Sequence, residues 1–416
     1  MSGMKRVLNG LGFLTSGGVG IYTMMYVYKA NNEVKPLSSK LRLDNKTVVI
    51  TGATSGIGNA TAYALASNHG AKVIMPSRDL KECEAARRSM QKEYGLGKER
   101  AKKMGFSAHR VQDPYDNTEC RLCDLKSLKS VEEFAESVEK VDILVNNAAV
   151  LNPKPNTSIK KRVAKNGDEK KGSKSVKYDL SMTGDNIEEQ FQVNYLSHFL
   201  LSNMLKDKLE KSDKPLIINV TCEAHLNGKL MLTDLKRLNE TEDKKIKYDF
   251  RGLEMYRQSK LAQVLFTKQA EKNWKSINTI SIDPGSSADT KLGRHQNQSG
   301  TDKLRFLDPG MQLQKTLHEN KNAQAAIKIN RFMFDANSRQ LNLLKPESGV
   351  HYVGFEKGLD LKSTESIDVN RKDYRVGKHL IHSTGSEVDS YTARSSELLW
   401  KASQVLCGMD TSMVDK

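Results

Sequence analysis

Tyr256 and Lys260 stand four residues apart in the run Tyr256-Arg257-Gln258-Ser259-Lys260, and on a helix that spacing puts both side chains on one face. A phenol with an ordinary pKa near 10 exchanges protons poorly at neutral pH, whereas an ammonium group beside it favours the phenolate. The pair is therefore expected to donate and accept a proton, with Lys260 drawing the Tyr256 pKa down. The same two residues would also suit an ordinary exposed helix, so their meaning depends on the chain around them.

A second run supplies a partner for such chemistry. Thr51-Gly52-Ala53-Thr54-Ser55-Gly56-Ile57-Gly58 closes a β-branched stretch and opens a helical one. A strand-to-helix turn of this kind lets a pyrophosphate approach the helix N–H groups. Gly52, Ser55, Gly56, Ile57 and Gly58 are the expected cradle of a dinucleotide. The next apolar run ends Met75-Pro76-Ser77-Arg78, without the carboxylate that would take a ribose 2′-hydroxyl. Ser77 and the Arg78 guanidinium suit a 2′-phosphate instead, so NADP(H) is expected over NAD.

These sites need a scaffold that turns strands into helices. Apolar β-branched runs at Thr47 to Thr51, Lys72 to Met75, Thr118 to Cys123, Val141 to Asn146, Leu216 to Thr221 and Thr279 to Asp283 alternate with helical patterns. The helices are expected near Gly58 to Asn68, Leu80 to Tyr94, Leu128 to Glu139, Glu188 to Leu209 and Arg257 to Asn273. The implied class is α/β, a doubly wound and mostly parallel sheet (Rossmann fold) with helices on both faces. Lys98 to Asn117 reads as an insertion. The lysine-rich stretch 151–183 reads as a solvated excursion or an anionic-membrane contact.

Over the 416 residues the formal charge is +16, with 38% hydrophobic and 6% aromatic residues. That composition fits one large domain diluted by polar loops. Nucleic acid is not an expected partner, because no recognition motif or interleaved aromatics accompany the charge. The five cysteines lack the dense spacing of a secreted scaffold; no bridge is expected, a reducing compartment is implied, and Cys120-x-x-Cys123 reads as a strand end. His225 has no companion at metal-ligand spacing, so no metal site is expected. The uncharged run Val7 to Tyr28, at about 1.5 Å per residue, could cross a bilayer core of about 30 Å as a helix. Its glycines leave an interfacial anchor open, and a cleaved leader is the third option. The expected organisation is an anchor at 1–30, a linker at 31–44 and a single domain at 45–416.

Together these motifs resemble the short-chain dehydrogenase/reductase family, and within it the retinol-dehydrogenase-like branch. Thr51 to Gly58 resembles the family's cofactor turn, and Asp124-Leu125 its adenine-contacting acid. Asn146-Asn147-Ala148-Ala149 is similar to its N-N-A-G, Tyr256 to Lys260 to Y-x-x-x-K, and Pro284-Gly285 to its cofactor-gripping P-G. The resemblance implies that Asp124, Asn147, Pro284 and Gly285 contact the cofactor along with Tyr256 and Lys260. It implies that Asn194, in Phe191-Gln192-Val193-Asn194, helps hold a proton-relaying water at Lys260. Glu347 to Tyr352 and Glu397 to Trp400 are similar to the branch's C-terminal region. One position departs: Asn219-Val220-Thr221-Cys222 places Cys222 where the family has its serine. A thiol is a weaker, longer donor than a hydroxyl, and Thr221 could compensate only if the strand bends there.

The implied function is NADP-dependent hydride transfer between NADP(H) and a lipophilic alcohol or carbonyl of the retinoid, sterol or fatty aldehyde class. The catalytic set would be Tyr256, Lys260, Asn194 and Cys222. The chain would lie at the endoplasmic reticulum or on a lipid droplet with its catalytic domain in the cytosol. Its partners would be the lipophilic substrate and that membrane or droplet surface, with a homodimer left open. The alternative is a catalytically weak or inactive NADP-binding scaffold at the same surface.

Overall fold

The computed structural model describes residues 41–103, 111–151, 181–230, 252–285, 292, 325–330, 333, 350–353, 356–360, 373–376, 379–382 and 393–409. The anchor at 1–30, most of the linker and most of the 151–183 stretch lie outside them. Among the described residues no helix is long and apolar enough to cross a membrane.

Eight strands form one sheet in the order β3-β2-β1-β4-β5-β6-β7-β8. They are β1 (Thr47–Ile50), β2 (Lys72–Ser77), β3 (Thr118–Leu122), β4 (Ile143–Asn146), β5 (Leu216–Val220), β6 (Asn278–Asp283), β7 (Val350–Val353) and β8 (Glu356–Asp360). All pairings are parallel except β7 with β8. The order reverses between β1 and β4, and in such sheets the crevice beyond the strand ends at that point takes the ligand. A separate hairpin joins β9 (Asp373–Val376) to β10 (His379–His382).

The central strands are fully buried because both faces are covered. On one face Val48, Ile50, Val73, Met75, Ile143, Val145, Ile218 and Ile280 pack beneath α1 (Gly56–Asn68) and α2 (Leu80–Lys103). On the other, Val49, Ile74, Leu144 and Ile217 meet α3 (Leu128–Ser137), α5 (Ser197–Leu209), α6 (Gly252–Asn273) and α7 (Ala393–Leu406). This alternation of neighbours to opposite faces follows from the two-residue period of a strand. Phe199, Phe266, Trp274 and Trp400 form the aromatic centre of the second layer, with ring centroids 5.0 to 5.8 Å apart. The Tyr195 hydroxyl meets Ser403 of α7 at 2.8 Å, so the C-terminal helix is part of the core.

Three expectations change. The helix after β2 runs to Lys103, so the first part of the supposed insertion is helical. The expected continuous helix from Glu188 is a single turn, α4 (Glu189–Phe191), then a π-turn over Gln192–Leu196, then α5. Cys83 of α2 and Cys120 of β3 form a disulfide, which overturns the expectation of no bridge. The cause is topological: β2 and β3 pair with Met75 opposite Cys120, and α2 folds back over β2 to bring the two Cα atoms to 6.0 Å, inside the usual range for a bridge. Cys123, the other half of the C-x-x-C, is free and buried.

Candidate active site

A cleft of about 600 Å³ opens beyond the strand ends at the reversal of strand order. One wall is the glycine turn. A Cβ on Gly52 would lie 2.9 Å from the Ala148 backbone, and one on Gly58 would lie 2.5 Å from the Gly52 carbonyl. Gly52 also has φ +69°, a left-handed conformation that disfavours side chains. The turn hands over to α1 at Gly56; Ser55 gives no side-chain cap and the first helical turn holds no acid. An uncapped helix N-terminus facing a cleft suits an anion.

Asn147 lines this wall, but its side-chain amide donates to the Thr51 carbonyl at 2.9 Å. It therefore shapes the turn. Thr51 is the hub: its hydroxyl oxygen accepts from the Asn147 and Ala148 amides, both at 2.9 Å, and meets His198 Nε2 at 2.8 Å. His198 Nδ1 lies 2.9 Å from the Asn194 carbonyl, which fixes the neutral tautomer with Nδ1 donating. Burial holds the ring down at about 4, so it stays uncharged. His198 went unnoticed in the sequence; its position four residues after Asn194 was the available signal.

Asp124, Ser77 and Arg78 line the far end of the cleft. The Ser77 hydroxyl is engaged with the backbone of Asp79, whereas Arg78 is exposed at the rim. Two further charges that the sequence reading missed stand there: Glu82, and Lys126, which pairs with Glu189 at 2.6 Å.

The opposite wall carries the chemistry. Tyr256 and Lys260 are buried on α6, and the Cys222 thiol lies 3.4 Å from the Tyr256 hydroxyl. Thr221 does not compensate for the missing serine, because its hydroxyl donates to the Lys260 backbone carbonyl at 3.3 Å. Asn194, on the π-turn, is fully buried. Its side-chain amide donates to Val150 O and Ser259 Oγ, both at 3.0 Å, while its oxygen accepts from Val150 N at 2.7 Å. Ser259 in turn donates to the Tyr256 carbonyl, so the Asn194 side chain fastens the helix that presents the tyrosine. A π-turn at such a place is a common mark of functional sites.

The electrostatics reverse one expectation. Burial, followed by the neighbouring Cys222, pushes the Tyr256 phenol well above its ordinary value. The charge of Lys260 does not offset this burial. The ammonium donates to Val220 O at 3.1 Å and Gln263 Oε1 at 3.0 Å, and lies 5.7 Å from the centre of the tyrosine ring. Burial also lowers the Lys260 pKa and raises that of Cys222.

Pro284 and Gly285 close the cleft after β6. Asp283, another residue the sequence reading passed over, accepts from the Gly285 amide at 2.8 Å and sets that turn. His225 is buried, with Nδ1 2.7 Å from the Cys222 carbonyl, and burial holds it at about 4.

Residues 46–233 match the family model described as short chain dehydrogenase. Over this span the chain is similar to the short-chain dehydrogenases. Among curated relatives, retinol dehydrogenase 13 of Mus musculus is 37% identical over 263 residues, covering 62% of this chain and 63% of the relative. Retinol dehydrogenase 14 of Homo sapiens is 30% identical over 258 residues, 61% of this chain and 65% of the relative. The chain thus spans less than two thirds of these relatives' length. A crystal structure of an uncharacterised protein from Mycobacterium Paratuberculosis shares the fold, with a TM-score of 0.53 and 23% identity over 90% of this chain and 99% of that one. Short-chain dehydrogenases take a nicotinamide cofactor. The glycine turn, the uncapped α1 terminus and the Pro284-Gly285 turn offer a fitting cradle for one.

Proposed function

We propose that this protein is an NADP-dependent oxidoreductase that interconverts a lipophilic alcohol and its carbonyl, with Tyr256 carrying the proton. The observation that carries this reading is the contact of Tyr256 and Cys222 on the wall facing the glycine turn. A bound nicotinamide would supply or accept the hydride. Gly52, Ser55, Gly56, Ile57 and Gly58 would hold its pyrophosphate, Asp124 its adenine end, and Pro284 and Gly285 its nicotinamide end. Arg78 would meet the 2′-phosphate, with Lys126 as a second cation lining the cleft.

Tyr256 donates its proton to the carbonyl oxygen in reduction. Its raised pKa keeps that proton in place at neutral pH. Cys222 orients the same oxygen as a weak donor. Lys260 supplies the positive charge that the transient phenolate needs, and Asn194 holds α6 in register. Dry surroundings strengthen each of these interactions.

The relatives' names favour a retinoid within the wider class of retinoids, sterols and fatty aldehydes. Val7 to Tyr28 would attach the chain to the endoplasmic reticulum or a lipid droplet and set the cleft beside its substrate. A second reading, a weakly active or inactive NADP-binding scaffold, draws its support from the thiol of Cys222. Dissociation constants for NADPH and NADH, with wild-type and Arg78→Ala protein, test the cofactor choice. Tighter NADPH binding that Arg78→Ala removes supports it, and tighter NADH binding refutes it.

A further inference from the structure

The Lys260 ammonium carries three N–H donors. Two are accounted for: one goes to the Val220 carbonyl at the end of β5, the other to Oε1 of Gln263, one turn further along α6. Gln263 is itself 1% exposed. Its amide orientation is fixed by its neighbour, since an ammonium can only donate and must therefore face the oxygen. The other end, Nε2, is buried without a hydrogen-bond partner among the described residues. An orphaned buried amide costs about 1–3 kcal/mol. A leucine of similar size would fill the space without that cost, but would leave the ammonium one acceptor short.

We propose that Gln263 is a positioning residue for proton transfer: with the Val220 carbonyl it keeps the buried Lys260 charged and oriented, leaving the third N–H for the reacting side of the cleft. The inference rests on the assignment of Tyr256 and Lys260 as the proton-transfer pair. A neutral carboxamide suits the task because it stabilises the cation without cancelling its charge. A carboxylate at the same place would hold the lysine equally well but repel a phenolate on Tyr256.

The other titratable groups around the pair set the background against which this dipole acts. They are Cys222 after β5, Asp283 at the end of β6 and His198 on α5. His198 stays neutral through burial. Cys222 and Asp283 are both pushed towards their protonated forms by burial. This leaves Lys260 as the cation on which the phenolate depends.

The test is the pH profile of alcohol oxidation at saturating NADP for wild-type, Gln263→Leu, Gln263→Glu and Tyr256→Phe protein, with melting temperature and NADPH affinity measured alongside. Both Gln263 variants should show the rising limb displaced upward by about one pH unit, a roughly tenfold loss at pH 7.5. The loss should shrink at high pH. Gln263→Glu is nearly isosteric and decides the matter if Gln263→Leu does not fold. A folded Gln263→Glu protein with the wild-type limb, whatever its melting temperature, overturns the proposal. Undiminished turnover by Tyr256→Phe would instead overturn the assignment of the tyrosine, so the two failures are distinct.

Discussion

The Cys222 thiol approaches the Tyr256 hydroxyl to 3.4 Å, while the neighbouring Thr221 hydroxyl is committed to the Lys260 carbonyl. The position next to the proton donor therefore has a thiol and no substitute. A serine hydroxyl at 222 would be a shorter and stronger donor to a substrate oxygen. Cys222→Ser is expected to raise carbonyl-reduction turnover by about tenfold, worth about 1.4 kcal/mol of barrier, while Cys222→Ala lowers it. Steady-state kinetics of the two variants provide the check, and a serine variant no faster than wild type would show that the thiol is not limiting.

The pH dependence of the two directions should differ. Reduction uses the protonated phenol, which predominates below the Tyr256 pKa and is lost as pH rises through it. Because burial raises that pKa well above 10, the reductive rate should be flat from about pH 6 to 8.5. Oxidation needs the phenolate and should climb over the same range. A reductive rate that halves near pH 7 would mean that Tyr256 ionises far more easily than its burial implies.

Asn194 ties Val150 to Ser259 through three hydrogen bonds. Asn194→Ala leaves these buried groups unpaired and should cost about 3 kcal/mol of stability. It should also lower turnover more than NADPH affinity, since α6 carries Tyr256. Asn194→Asp should not restore activity, because a carboxylate cannot donate to Val150 O. Denaturant titration and kinetics of both variants separate these effects.

The cysteine arrangement can be counted directly. With Cys83 and Cys120 joined, protein unfolded without reductant should show three reactive thiols, belonging to Cys123, Cys222 and Cys407. Finding five would dissolve the bridge.

The strands β1 to β6 were legible because buried parallel strands read as β-branched runs with glycine and proline at their ends. The glycine turn, Tyr256, Lys260 and the thiol at 222 were legible as local runs. Other features depend on what the chain brings together from afar. The disulfide needs the β2–β3 register, and the commitment of Thr221 needs the packing of α6 against β5. The Tyr256 pKa was misjudged because helical spacing suggested the lysine's influence, whereas burial of both groups dominates once the cleft forms. The strand β8 has Leu359 as its one apolar side chain among Glu356, Lys357, Gly358 and Asp360, so no β-branched run marks it.

The most direct measurement is NADPH-coupled reduction of a panel of lipophilic aldehydes and ketones by wild-type and Tyr256→Phe protein, with NADPH affinity recorded for both. Turnover by the wild type that falls at least about a hundredfold in Tyr256→Phe, with cofactor affinity kept, is the expected result. Equal turnover by the two proteins, or NADPH binding with no turnover of any substrate by the wild type, would contradict an oxidoreductase that works through Tyr256.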